Sequence, residues 1–327
     1  MKALLKINFT DFWAGFIKED NYFYKLLSKH YDVVISEEPD LLFYSCYGFS
    51  YLEYNCIRIF YTAENVRPDF TGCDYAISFD HIKKKNHYRL PLYALYINHQ
   101  YFSGSLSPKL EELTRVKDRT ALLKDWEQRE KFCCMIVSNA SSKKRLIFFD
   151  KLSKFKHVDS GGAVLNNMGG ELVKDKLTFI QDYKFVISFE NAAYPGYVTE
   201  KLLEPLFMGC IPIYWGNPLV GKDFNTKRFL NYADFGSTDK LIKRIKEIDA
   251  DPAEAMKIIS EPIFPHNKVP EYILDENVRE FFDKIVKSLK DTTPVATVSY
   301  KKKLHTLMRK KEMVRHIFLS KMGKYFR

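Results

Sequence analysis

A chain of 327 residues is about twice the size of an ordinary single domain, so two domains are the first expectation. Apolar residues make up 46% of it, with 26 Phe and 21 Tyr, which supplies large cores and excludes disordered, collagen-like and low-complexity chains; no uninterrupted run of about 18 apolar residues offers a membrane-spanning helix. The formal charge of +10 is concentrated in residues 301–327, where ten Lys and Arg stand against the single acid Glu312 for +9, leaving +1 for the rest.

The N-terminal apolar run Met1–Phe9 is broken by Lys6 and Asn8, which is wrong for a signal peptide and reads as a first β-strand. Short apolar runs then recur at Ala3–Phe9, Asp32–Ser36, Leu41–Ser45, Ile57–Thr62 and Tyr75–Phe79, with a helix-compatible stretch over Asp20–His30. Near-continuous apolar strands of this kind belong to a parallel sheet covered on both faces. The polar helical stretch Pro108–Lys131, carrying Leu110, Leu113, Leu122, Leu123 and Trp126, reads as a bridge between domains. A second alternating series follows: strand Phe132–Val137, the dipeptide Ser138-Asn139, helix Ser142–Leu152, a strand near His157 and the loop Ser160-Gly161-Gly162. Strand Phe185–Phe189, helix Val198–Met208 and strand Ile211–Trp215 complete it. Two such series predict two doubly wound sheets, with boundaries at 1–128 and 129–290, and Asp291–Pro294 opening a linker and basic tail over 291–327. The six cysteines show no CxxC pair and are expected to be free thiols in a reducing cytoplasm.

The densest chemistry lies in Phe189-Glu190-Asn191-Ala192-Ala193-Tyr194-Pro195-Gly196-Tyr197-Val198-Thr199-Glu200-Lys201-Leu202-Leu203: a strand, a loop and a helix start. A helix N-terminus offers unpaired N–H groups and partial positive charge, which suits a diphosphate at the carboxyl end of a parallel strand. Taken singly, Glu200 need only complement the helix dipole and Lys201 need only be solvated.

Phe189-Glu190-Asn191, Gly196–Leu202 and Gly209-Cys210-Ile211-Pro212-Ile213-Tyr214-Trp215-Gly216 together resemble the signature of the bacterial α-1,3-fucosyltransferases of glycosyltransferase family ten. Tyr61–Phe70 is similar to that family's N-domain Thr-Gly-Glu-Asn segment, with Ala63 in place of the glycine, and Cys73–Asp80 continues it. Ser138-Asn139, Arg145 and Phe148 resemble its Ser-Asn…Arg…Phe stretch, so the matches spread over roughly residues 57–235. The resemblance implies a GT-B fold, two Rossmann-like doubly wound domains facing a cleft, and inverting transfer of fucose from GDP-fucose to an oligosaccharide or glycolipid hydroxyl. It implies Glu64 as general base, Arg145 and Lys201 as cations on the diphosphate, Glu200 as the ribose contact, and Asn191 and Tyr197 as lining of the donor pocket. Ser138, Asn139, Gly161, Gly162 and Glu190 form a further set expected to approach the donor.

The chemistry agrees with that assignment. Inverting transfer needs a carboxylate to take the acceptor's proton and fixed positive charge to receive the departing GDP. Alone, Glu64 reads equally as a loop carboxylate and Arg145, beside Lys143 and Lys144, as one more solvated charge, although only Arg clamps a phosphate with two parallel bonds. Asp249-Ala250-Asp251 has the Asp-x-Asp form of metal-dependent transferases but reads as a solvated loop before Pro252. The eight histidines lack ligand spacing, so no structural zinc is expected, and because Arg145, Lys201 and the helix N-terminus at Val198–Lys201 would supply the positive field a cation provides, no catalytic metal or other cofactor is expected either.

In the tail, Leu307, Val314, Phe318, Met322 and Tyr325 fall on one helical stripe with Lys and Arg elsewhere, a basic amphipathic helix that makes residues 299–327 the segment expected to bind an anionic membrane surface. RNA is the runner-up ligand for this segment, and a helix docked on the body is the plain alternative. The leading expectation is a cytoplasmic enzyme peripheral to the inner face of the membrane, acting on carbon three of GlcNAc or Glc and binding no nucleic acid. A GT-B transferase of another nucleotide sugar and a non-catalytic basic adaptor on a transferase fold remain the alternatives. Aromatic residues Trp13, Phe16, Tyr93, Tyr96, Tyr101 and Phe102 are candidates either for stacking on acceptor sugars or for core.

Overall fold

The computed structural model describes residues 2–97, 108–298, 300 and 303–309. The chain divides into two units, the first made of Met1–Ser78, Ile82–Leu90 and Leu274–Arg327 and the second of Phe79–His81 and Pro91–Ile273.

In the first unit, six strands form one parallel sheet: β1 (Leu4–Thr10), β2 (Asp32–Ile35), β3 (Leu41–Tyr44), β4 (Ile57–Tyr61), β5 (Tyr75–Ser78) and β6 (His87–Arg89). Their order is β2-β1-β3-β4-β5-β6. Central β3 and β4 are buried at every position, as strands covered on both faces must be, whereas edge strand β2 alternates. Helix α1 (Tyr22–Ser28) begins where Asn21 Oδ1 accepts the Tyr24 N–H at 3.0 Å, and it buries Tyr22, Phe23, Leu26 and Leu27.

The second unit opens with three short helices, α2 (Leu92–Leu95), α3 (Leu110–Leu113) and α4 (Arg119–Glu127). It continues through β7 (Lys131–Met135), α5 (Lys143–Ser153), β8 (Val158–Ser160), α6 (Lys176–Ile180), β9 (Tyr183–Phe189), α7 (Glu200–Phe207) and β10 (Ile211–Trp215). Strand β11 (Leu230–Asn231) and helices α8 (Thr238–Ala250) and α9 (Pro252–Ile259) close it. The five strands are parallel in the order β8-β7-β9-β10-β11. Each sheet therefore winds outward from its first strand in both directions, and each has a topological switch point, between β1 and β3 and between β7 and β9. The expected two-domain α/β plan is borne out.

The unit boundaries differ from those expected. The stretch Pro108–Lys131 is no bridge: α4 buries Leu122 and Trp126, and Trp126 packs edge-on against Phe185 of β9 at 5.7 Å, so it belongs to the second unit. Helix Asp275–Lys287 returns to the first unit because its apolar stripe sets Phe282 against Phe23 and Phe43, at 6.0 and 5.7 Å, while Asp275 and Asp283 accept the hydroxyls of Tyr22 and Tyr31. The expected linker is docked as well, with the Val295 N–H on Asp74 Oδ1 at 2.7 Å and Ala296 buried.

The first turns of the basic tail, 303–309, are helical and attached to the same unit. His305 is 1% exposed; its Nε2 lies 2.7 Å from Tyr51 Oη and its Nδ1 lies 3.2 Å from both Thr71 Oγ1 and Asp69 Oδ2. Gly72 makes the room, since a Cβ there would meet the imidazole at 2.2 Å. The stripe positions Val314, Phe318, Met322 and Tyr325 lie outside the described residues.

Burial holds the His305 imidazole below its ordinary value of 6.5, with Arg309 and Arg58 acting the same way and Asp69 opposing. The unfolded chain therefore binds the extra proton first, so this contribution to stability is complete above pH 6.5 and is lost as the pH falls below it. His305→Ala should lower stability by about 2 kcal/mol at neutral pH and flatten the slope of stability against pH below that point, as read by denaturant unfolding across a pH series.

Candidate active site

The switch point of the second sheet is held by one side chain. Arg145, on the first turn of α5, is completely buried, and its guanidinium reaches both loops that leave the neighbouring strands. Nε and Nη2 donate to the Phe189 carbonyl at 3.1 and 2.6 Å, Nη2 also donates to Asn191 Oδ1 at 2.9 Å, and Nη1 donates to the Asn139 carbonyl at 2.9 Å. Burial lowers its pKa, while the negative charges of Glu190 and Glu200 hold the proton on. Four of its five N–H groups are thus committed to the loops after β7 and β9, leaving one on Nη1. The expected two-bond phosphate clamp is not its arrangement here; it shapes the crevice and offers one remaining donor. The solvated-helix reading of Arg145 fails outright.

Beside it stands the N-terminus of α7. The helix begins at Glu200 rather than Val198, because Thr199 is its N-cap, with Oγ1 accepting the Lys201 N–H at 3.4 Å. Thr199 is itself fastened to fully buried Glu190, whose carboxylate accepts its N–H at 2.8 Å and its hydroxyl at 2.8 Å. Lys201 Nζ lies 3.1 Å from Glu200 Oε1 and 3.8 Å from Glu190 Oε2. Lys176 of α6, which the sequence reading did not single out, pairs with Glu204 and stands 4.0 Å from Glu200. Burial works to raise the Glu200 carboxyl, but Lys201 and Lys176 outweigh it and hold it down at about 2. Burial prevails at Glu190 and raises it. Lys201 is raised, because Glu200 and Glu190 overcome the burial that would discharge it. Lys201 is therefore a permanent cation, and Glu200 an ionised acceptor unsuited to taking up protons near neutrality.

The loop before α7 is set by backbone fit. Gly196 has φ +89° and sits where a Cβ would meet the Phe79 carbonyl oxygen at 2.3 Å; its N–H donates to Asn217 Oδ1 at 2.7 Å. Tyr197 is 2% exposed, with its ring edge-on to Phe79 at 5.1 Å. Asn217 also accepts the Leu219 N–H at 2.8 Å and donates its own N–H to Tyr214 Oη at 2.9 Å, which makes it the buried hub of this loop. It directly follows the Tyr-Trp-Gly run, the one signal that pointed to it.

Ser138 and Asn139 are exposed at the end of β7, Asn139 carrying the carbonyl that Arg145 binds. Gly161 and Gly162 continue the approach of β8 to β7, with the Gly161 N–H on the Met135 carbonyl at 3.0 Å. A Cβ on Gly162 would stand 2.2 Å from the Val137 carbonyl oxygen. Asp249 is not solvated either, being paired with Lys156 at 2.8 Å and Lys184 at 3.7 Å, while Asp251 caps α9 through the Ala253 N–H at 2.8 Å. Among the described residues, no group of three or more His, Cys, Asp or Glu is arranged to hold a metal ion.

In the first unit, Glu64 follows β4 at the carboxyl edge of the sheet, half-buried. Its N–H donates to Thr62 Oγ1 at 3.0 Å, and its Oε1 accepts the Tyr47 hydroxyl at 3.0 Å. Burial and the Glu64 charge raise the Tyr47 phenol, so it remains a donor. Nearby in sequence to β1, Phe12, Trp13 and Phe16 form a ring cluster with Trp13 40% exposed, whereas Tyr93 of the second unit is core, donating to Asp223 at 3.1 Å. Tyr101 and Phe102 lie outside the described residues.

Two family models match this chain: the α-(1,3)-fucosyltransferase FucT N-terminal domain over residues 7–96 and the glycosyltransferase family 10 (fucosyltransferase) C-terminal region over residues 126–259. Among curated relatives, the α-(1,3)-fucosyltransferase FucT of Helicobacter pylori is 36% identical over 271 residues, covering 74% of this chain and 56% of its own length. The chain thus spans a little over half of that relative. Human 4-galactosyl-N-acetylglucosaminide 3-α-L-fucosyltransferase 9 is 31% identical over 126 residues, covering 37% of this chain and 34% of its own. A crystal structure of an α1,3-fucosyltransferase with GDP-fucose superposes with a TM-score of 0.69 at 29% identity, over 87% of this chain and 91% of that one.

The fit at Gly162 yields a direct test. Gly162→Ala should destabilise the protein by about 1–3 kcal/mol through a clash with backbone that has no room to yield, which a chemical unfolding curve would reveal as a lowered midpoint.

Proposed function

The chain belongs to glycosyltransferase family 10, and from that membership we propose that it is an inverting α-1,3-fucosyltransferase that moves L-fucose from GDP-fucose to carbon three of GlcNAc or Glc in an oligosaccharide or glycolipid acceptor. The observation that carries the assignment of roles is the contrast between two carboxylates. Glu64 has one oxygen tied to Tyr47 and the other without a partner among the described residues, whereas Glu200 is held ionised by two lysines. The likeness to a relative solved with GDP-fucose supports the donor, and the 3-α-L specificity in the human relative's name supports the linkage.

In this reading Glu64 Oε2 takes the proton from the acceptor hydroxyl as that oxygen attacks the fucose anomeric carbon. The bond from that carbon to the β-phosphate oxygen breaks, and the N-terminal N–H groups of α7, the Lys201 ammonium and the remaining Nη1–H of Arg145 receive the developing charge. Glu200 accepts the ribose hydroxyls, and Asn191 and Tyr197 bound the donor pocket. No metal is assigned a role in this reading, in which the charge on the departing GDP is met by Lys201, Arg145 and the start of α7. The basic residues 310–327, six Lys and Arg against Glu312, would hold the enzyme on an anionic membrane surface facing the cytoplasm.

Glu64→Gln keeps size while removing basicity, so it should reduce turnover by about two to four orders of magnitude with GDP affinity unchanged in calorimetry. Glu200→Gln should instead weaken donor binding, with a smaller loss at saturating GDP-fucose, and parent rates should persist in EDTA. A Glu64→Gln enzyme that retains its turnover would refute the assignment. Deleting 310–327, which spares docked His305, should leave transfer intact and abolish co-sedimentation with anionic liposomes; persistent sedimentation would place membrane binding elsewhere.

A further inference from the structure

At the end of the second sheet remote from Arg145, where β10 and β11 begin, lies a cavity of about 230 Å³, room for roughly eight waters. Much of its wall is apolar, including Leu113, Leu122, Phe207 and Ile259. Into it faces Arg228, a residue only 3% exposed. Its guanidinium donates one hydrogen bond, from Nη1 to the Cys210 carbonyl at 3.0 Å, and among the described residues it meets no carboxylate. Five N–H groups on a buried cation with a single carbonyl partner leave an open fork. Neighbouring Arg129 is different, its N–H groups being taken by the carbonyls of Gln181, Tyr183 and Met208. Arg115 and Lys117 add positive charge to the lining, against Glu112 and Glu261, the latter engaged by Asn225 Nδ2 at 3.0 Å. Burial, with Arg129 nearby, pushes Arg228 down to about 10, the behaviour of a cation lacking its counter-ion.

We propose that this cavity binds a small amphiphilic anion, a carboxylate or phosphate on an apolar body, with its oxygens on the open edge of Arg228 and its chain against Leu113, Leu122, Phe207 and Ile259. A planar guanidinium pairs with either headgroup through two parallel bonds, and the apolar wall excludes inorganic ions as the best occupants. The site is separate from the nucleotide-binding region assigned above, although α7 runs from one to the other: Glu200 begins the helix and Phe207 ends it.

The test is calorimetric titration of the full chain with octanoate, octyl phosphate, inorganic phosphate and, as neutral control, octyl glucoside, with GDP at saturation throughout. Octanoate or octyl phosphate should bind, and the stronger of the two identifies the headgroup; inorganic phosphate and octyl glucoside should bind at least about ten-fold more weakly. Arg228→Gln should weaken the preferred anion by about ten-fold or more while melting no lower than the parent, because it removes a buried charge without a counter-ion. Val116→Trp, at a lining position 84% exposed and so harmless to folding, should weaken the same ligand by crowding the mouth. Absence of binding by both anions, equal binding of octyl glucoside, a large drop in the melting temperature of Arg228→Gln, or undiminished binding in Val116→Trp would each overturn the proposal.

Discussion

The candidate site depends on a buried guanidinium placed where a doubly wound sheet parts. At the switch point the loops after β7 and β9 diverge, and their carbonyls face a crevice with no strand between them to satisfy their hydrogen bonds. Arg145 enters from α5 and closes that gap, donating to Asn139, Phe189 and Asn191 at once. Hydrogen bonds to a charged group contribute about 1.5–3 kcal/mol each, enough together to hold a fully desolvated cation in place. The same bonds fix the direction in which Glu190 leaves β9, and Glu190 in turn holds Thr199 and the start of α7.

Electrostatics around α7 follow from that frame. Glu190, Glu200 and Glu204 face Lys176 and Lys201 inside a nearly desolvated cluster, with Arg145 close enough to feel two of these acids. Formal charges cancel, three against three, so the cluster does not bury a net charge. What remains to attract an anion is the outward face of Lys201 and the dipole of the helix itself.

The first unit shows how far local chemistry depends on distant chain. Its sheet is complete by residue 89, yet the face around Phe23 and Phe43 is covered only when Phe282 arrives, and the pocket of Tyr51, Thr71 and Gly72 is filled only by His305. The stretch 63–72, which carries Glu64, thus has Asp69 and Thr71 braced by the start of the basic tail.

The amino-acid sequence by itself pointed to the strands, because short near-continuous apolar runs such as Leu41–Tyr44 and Ile57–Tyr61, the latter broken only by Arg58, suit a sheet covered on both faces, and it pointed to the family through the run from Phe189 to Gly216. Local pattern also sufficed for α7 to within two residues, the error arising because a threonine hydroxyl rather than the apolar period decides the first turn. Only tertiary structure decided that Arg145 binds loops before any phosphate, that Gly161 and Gly162 serve backbone fit, and that Asp249 is paired rather than solvated. It alone assigned Asp275–Lys287 and His305 to the first unit, and isolated Arg228 at a cavity wall. The physical reason is common to all five. A side chain's charge and size are written in the sequence, but whether it meets water, a carbonyl or an opposite charge depends on residues tens to hundreds of positions away.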